Sequence, residues 1–184
     1  NLMSPVNFFR IGMLSLLLLS QTCNAADSVG DFSLPDQNGD THRMSFYDDH
    51  VAVALLVQAN GDRTVAGSMS AYNALKARFD RQGFEFLMIN PMGLNDSDAV
   101  RQEVLGYGVD IPVLMDDSQT ISRALNITTI GEVFLFDPQT FTVKYRGPVG
   151  AGLEQAIYDL LSGGRVSKPV IVMDGALILY KERN

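Results

Sequence analysis

Cysteine is nearly absent from this chain of 184 residues. There is one, Cys23, and it falls in an N-terminal stretch with the features of an export signal. Residues 26–184 hold none. That excludes an internal disulfide, a cysteine-based metal site and a thiolate nucleophile from the body of the protein. Histidine is scarce as well. His42 and His50 are the only two, and two His without Cys make a poor zinc set. One follows a turn and the other precedes an apolar run, so both are expected in surface or loop roles. Neither a metal nor a cofactor is expected. Positive charge is in deficit, with 14 Lys and Arg against 21 acids and a net charge of −7. The cations are scattered without a basic stripe, so nucleic acid is not an expected partner. With 46% hydrophobic and 19% charged residues, the chain is neither disordered nor a multi-span membrane protein. Its length fits one domain with a real core.

The first 25 residues are expected to be a signal peptide or a membrane anchor. One cation, Arg10, precedes an apolar run over residues 11–20, and Cys23 and Ala25 give the small-x-small spacing of a cleavage site. Lipidation at Cys23 is a lesser alternative, because Ser20 stands where a lipobox usually has Leu. An uncleaved anchor is the third, although a span needs ~20 apolar residues. The expected location is periplasmic or secreted, or membrane-attached only through this segment.

The body divides into residues 26–165 and a C-terminal extension, 166–184. A hairpin opens it, turning at Asn38-Gly39. Asp36, Asn38 and Asp40 resemble the start of a calcium loop, but Tyr47 stands where a bidentate Glu is required. Residues 51–57 (VAVALLV) form an unbroken apolar run, as a strand buried on both faces requires. Met69, Tyr72, Leu75 and Phe79 recur at helical spacing. Residues 84–90 give a second buried strand, broken by Pro91 and Gly93. A helix is expected over 96–107, with Val100, Val104 and Tyr107 on one face. A short strand over 112–115 follows, then a short helix over 118–125 with Ile121, Ala124 and Leu125 inward and Asp116-Asp117 at its start. Strands over 132–136 and 143–146 precede a helix with an apolar stripe at Leu153, Ala156, Ile157, Leu160 and Leu161. Gly163-Gly164 ends it. Residues 166–179 are apolar enough to add a strand. Tyr72, Tyr107, Tyr145 and Tyr158 are expected at amphipathic edges. Met69, Met88 and Met115 fall at core phase. Asn126-Ile127-Thr128 matches a glycosylation sequon, a short pattern with many false positives. Strands with crossover helices imply parallel pairing, and the late pair joined by a short turn implies an antiparallel edge. The fold class is α/β, a central mixed sheet flanked by helices with an N-terminal hairpin.

Several segments resemble the redoxin branch of the thioredoxin superfamily, the AhpC/TSA group that includes the peroxiredoxins. They are Val29-Gly30-Asp31-Phe32-Ser33-Leu34-Pro35-Asp36 with Asn38-Gly39, Ile111-Pro112-Val113-Leu114-Met115-Asp116-Asp117, Glu132-Val133-Phe134-Leu135-Phe136-Asp137, and Tyr145-Arg146-Gly147. The resemblance implies a thioredoxin-like fold and an oxidoreductase ancestry. It places the family's reactive cysteine after the first buried strand, at a helix N-terminus that lowers a thiol pKa. Here that stretch is Gln58-Ala59-Asn60-Gly61-Asp62-Arg63-Thr64-Val65. Asp62 aligns with the attacking cysteine and Val65 with the second cysteine of a C-x-x-C pair. Gly131 stands where the family has a cis-proline, and glycine does not stabilise a cis peptide. In the tail, Gly175-Ala176 replaces the Gly-Cys of some exported relatives.

Asp62 is therefore expected to cap a helix, with Arg63 solvated. The favoured function is an exported, non-catalytic redoxin-fold module that binds or assists another protein of the periplasm or membrane. One alternative is thiol or peroxide chemistry that borrows a partner's cysteine. Another is a small-anion site at the helix N-terminus, with Asp62, Arg63, Thr64 and Glu132 as candidate ligand residues.

Overall fold

A computed structural model describes residues 29–94 and 96–182; the expected signal segment, Cys23 included, lies outside them. The chain opens with a hairpin of β1 (Ser33–Pro35) and β2 (Thr41–Arg43). Its turn is held by Asp36, whose Oδ1 accepts from Asn38 N at 2.7 Å and Asp40 N at 3.0 Å. The acidic side chain thus serves the turn's own backbone.

β3 (Ala52–Val57) follows and is buried along its whole length. It is apolar throughout because it lies at the centre of a five-stranded sheet. β4 (Phe84–Asn90) pairs parallel to it, β5 (Val113–Met115) parallel to β4, β6 (Glu132–Asp137) antiparallel to β3, and β7 (Thr142–Pro148) antiparallel to β6. The order β5-β4-β3-β6-β7 is that of a thioredoxin-like domain, as expected. The hairpin joins the β5 side through a bridge between Asp36 and Leu114.

The helices are α1 (Arg63–Phe79), α2 (Ser97–Gly106), α3 (Thr120–Ala124) and α4 (Ala151–Leu161). α1 buries Val65, Met69, Tyr72, Leu75 and Phe79, the stripe its spacing predicts. Burying each such large apolar side chain contributes ~1.5–3 kcal/mol. α1 and α4 lie side by side, Phe79 meeting Tyr158 edge to face at 5.5 Å and Arg78 Nη1 donating to Glu154 Oε1 at 2.6 Å.

Four expectations need correction. Tyr72 and Tyr145 are not edge residues but fully buried. Each hydroxyl finds a carbonyl, Tyr72 on Leu87 at 2.7 Å and Tyr145 on Pro148 at 3.2 Å. Over residues 118–125, Leu125 is buried and Ile121 partly so, as expected, but Ala124 is exposed and Ser122 turns inward instead. Buried Asp116 draws Ser122 in, Oδ2 accepting from its N–H at 2.7 Å and its hydroxyl at 2.6 Å. His42 is half-buried between Asp36 Oδ2 at 3.0 Å and the Tyr47 hydroxyl at 2.6 Å, rather than free on a loop. Residues 166–179 add no regular strand; they touch the body through isolated bridges, Thr129 to Leu177 and Arg146 to Val170.

Candidate functional site

The carboxyl ends of β3 and β4 carry a run of polar side chains, the place where open α/β sheets take their ligands. Gln58 leaves β3 fully buried. Its Nε2 donates to Asn60 Oδ1 at 2.7 Å, and its Oε1 accepts from Asn90 Nδ2 at 2.7 Å. Asn90 Oδ1 accepts from Met92 N at 3.0 Å. The amides satisfy one another, which removes the cost of burying them. Beside them is a cavity of about 100 Å³ lined by Ala59, Asn60, Asn90, Met92, Leu94 and Asp96 among others.

The chain then turns at Gly61, whose φ of +75° suits glycine. Its N–H donates to Glu103 Oε1 of α2 at 2.8 Å, and the same oxygen accepts from the Tyr107 hydroxyl at 2.6 Å. Burial, then the hydrogen bond to Glu103 and its charge, push the Tyr107 hydroxyl pKa well above its ordinary value. Glu103 and Tyr107 hold the turn before α1, a role their sequence hides. Their four-residue spacing predicts only that they share a helix face.

Asp62 is the N-cap of α1. Its backbone is extended, and Oδ1 accepts from Thr64 N at 2.8 Å and Val65 N at 3.0 Å. The N–H groups that stabilise a thiolate at such a helix end are here donated to this carboxylate. Val65 is buried, while Arg63 is exposed.

Across from the helix start lies Gly131. Its peptide is trans, as are all those described, and φ is +87°. Its N–H donates to Val57 O at 2.9 Å. A Cβ at this position would come within 2.7 Å of Thr64 Cγ2. Thr64 and Gly131 are thus brought together. Glu132 is not free to join them. It is only 7% exposed, and its carboxylate takes Arg146 Nε at 3.1 Å and Nη2 at 3.3 Å. Arg146 also lies over the Phe134 ring at 4.8 Å and donates to Asn126 O at 2.9 Å. Of the four candidate ligand residues, Asp62 and Thr64 share the helix start, Arg63 points to solvent and Glu132 is spent on an ion pair. Among the described residues, no group of three or more His, Cys, Asp or Glu is placed to hold a metal.

Fold and site together define a thioredoxin-like redoxin domain. The chain belongs to the AhpC/TSA family, whose profile matches residues 25–150. No curated protein matches the sequence. Among solved structures, the chain is similar to a hypothetical protein from Sinorhizobium meliloti, with 24% identity and a TM-score of 0.72, over 85% of this chain and 94% of that one. It is also similar to peroxidoxin BcpB from Mycobacterium tuberculosis, at 18% identity and a TM-score of 0.60, covering 78% and 97% of the two chains. A thiol-disulfide oxidoreductase from Bacteroides fragilis matches at 18% identity and a TM-score of 0.58, covering 74% and 95%. These likenesses concern the fold.

Proposed function

We propose that this protein is an exported redoxin-fold module that binds or assists another protein and performs no thiol catalysis of its own. The observation that carries the reading is the start of α1. At the position aligned with the family's reactive cysteine, a carboxylate is hydrogen-bonded to the helix N–H groups. Reduction of a disulfide by thiol exchange needs an attacking thiolate and a mixed disulfide, and residues 26–184 contain no sulfhydryl for either. The export half of the proposal rests on residues 1–25 alone.

An anion at Thr64 would have to displace the Asp62 carboxylate, which already fills the place an anion would take. That favours the partner-binding reading over the anion-binding one. The route through a partner's cysteine stays distinct, because it requires a second protein in the assay. The test is reduction of insulin disulfides by purified residues 26–184 with dithiothreitol as the electron source. Precipitation at the rate of dithiothreitol alone is expected. Acceleration that heat denaturation abolishes would overturn the proposal.

A further inference from the structure

Beyond α4 the chain returns across the body as an extended strap, residues 169–181, fastened at both ends. On β7, Arg146 N donates to Pro169 O at 2.8 Å and Ile171 N to Arg146 O at 2.9 Å. Ile171 fills a notch made by Gly147 and Gly152, where an added Cβ would collide with it. On the α3 side, Gln119 Nε2 donates to Leu179 O at 3.0 Å and Gln119 Oε1 accepts from Lys181 N at 2.8 Å. The Tyr180 hydroxyl donates to Ile127 O at 2.5 Å, and Arg123 stacks over the Tyr180 ring at 4.4 Å.

Between these anchors the strap crosses the loop that leads into Gly131. Ile130 N donates to Ala176 O and Ile178 N to Thr128 O, each at 2.9 Å. This is a short antiparallel addition to residues 128–130, with Leu177 opposite Thr129. Gly175 passes so close that a Cβ there would lie 2.7 Å from Thr129 Cγ2 and 2.9 Å from Ile130 O. Met173 Cε lies 3.7 Å from where a Cβ on Gly131 would stand, and Thr64 Cγ2 touches the same point. The strap therefore roofs the surface on which the family's chemistry would occur.

Burial does little to hold it. Val172, Leu177 and Leu179 are 89%, 70% and 82% exposed, Ile178 is the strap's one buried apolar side chain, and Ile171 and Tyr180 are only partly buried against the core. Its backbone bonds exchange for water bonds on opening, so each is a small net gain. A segment with few buried apolar contacts opens at lower cost than the core.

We propose that residues 169–181 are a self-docked strap that occupies the backbone edge at residues 128–130 and lifts from it as a unit. Lifted, it leaves the Ile130 N–H and the Thr128 carbonyl open to an extended partner segment with glycine at the Gly175 position. The proposal goes beyond the binding reading, and its test reads the strap whether or not a partner exists.

The test is hydrogen exchange at single amides in the full chain. Ile130 and Ile178 are expected to exchange with matching protection, at least a hundredfold faster than the amides of β3. Gly175→Val is expected to speed both at least tenfold and leave β3 within twofold. A peptide of residues 169–181 at millimolar concentration is expected to restore protection at Ile130 in that variant. Strap protection equal to that of β3, loss of β3 protection with the strap, or no effect of the peptide would each overturn the proposal. If Gly175→Val does not fold, Ile178→Pro replaces it, removing the N–H that Thr128 accepts, and the unmodified chain still decides on the strap's independence.

Discussion

Gly131 shows at the scale of one residue what this backbone excludes. A proline there would need φ near −65°, whereas the backbone stands at +87°. It would also lose the N–H that Val57 accepts and press its ring against Thr64. Gly131→Pro is therefore expected to destabilise the protein by about 3 kcal/mol, combining backbone strain with a lost hydrogen bond. Urea unfolding of the variant measures this. A variant as stable as the parent would mean that the loop still accommodates the family's proline. Asp62 carries the matching point from the helix side. Its carboxylate is a structural cap, taking the N–H groups of Thr64 and Val65.

Among the elements, the turn between β6 and β7 makes a prediction in pH. Burial pushes the Asp137 carboxyl up, but the N–H groups of Gln139 and Thr140, the Thr140 hydroxyl and Lys144 together outweigh it and hold the group below its ordinary 3.8. A carboxyl lowered on folding adds stability that is full above its unfolded pKa and is lost as pH falls through the folded value. The stability gap between the parent and Asp137→Asn should be constant above about pH 5 and narrow below about pH 4. Urea midpoints across that range check it, and a gap that widens in acid would contradict it. The elements that the sequence makes legible are those whose pattern is periodic. The stripes of α1 and α4 and the unbroken runs of β3 and β4 emerge as expected because burial alone explains them. Tyr72 and Tyr145 are hidden because a hydroxyl suggests an edge until a buried carbonyl is found for it. At α3 the inward turn of Ser122 is hidden for a related reason. Its N-cap, Gln119, makes no side-chain cap bond, and Asp116 reaches in from outside the helix to turn Ser122 inward. The strap fails as a strand because it changes partners, leaving the β7 edge at Arg146 for residues 128–130 before a ladder can form.

Taken as a whole, the molecule has the apolar framework of a thioredoxin-like redoxin domain, with a polar, self-satisfied surface at the ends of its central strands. The absence of cysteine from residues 26–184 is visible in the sequence. The capping of α1 by Asp62 is also legible, since Asp before a helical stripe is a strong start signal. The clamp of Glu103 on Gly61, the Glu132–Arg146 pair and the roof of Met173 and Gly175 depend on residues distant along the chain, and no local pattern announces them. Together they fill the ends of the central strands with the protein's own side chains and tail. The most direct measurement is hydrogen peroxide consumption by purified residues 26–184 with excess dithiothreitol. The expected rate equals that of the reductant alone at every protein concentration. A rate that rises in proportion to protein and disappears on denaturation would contradict it.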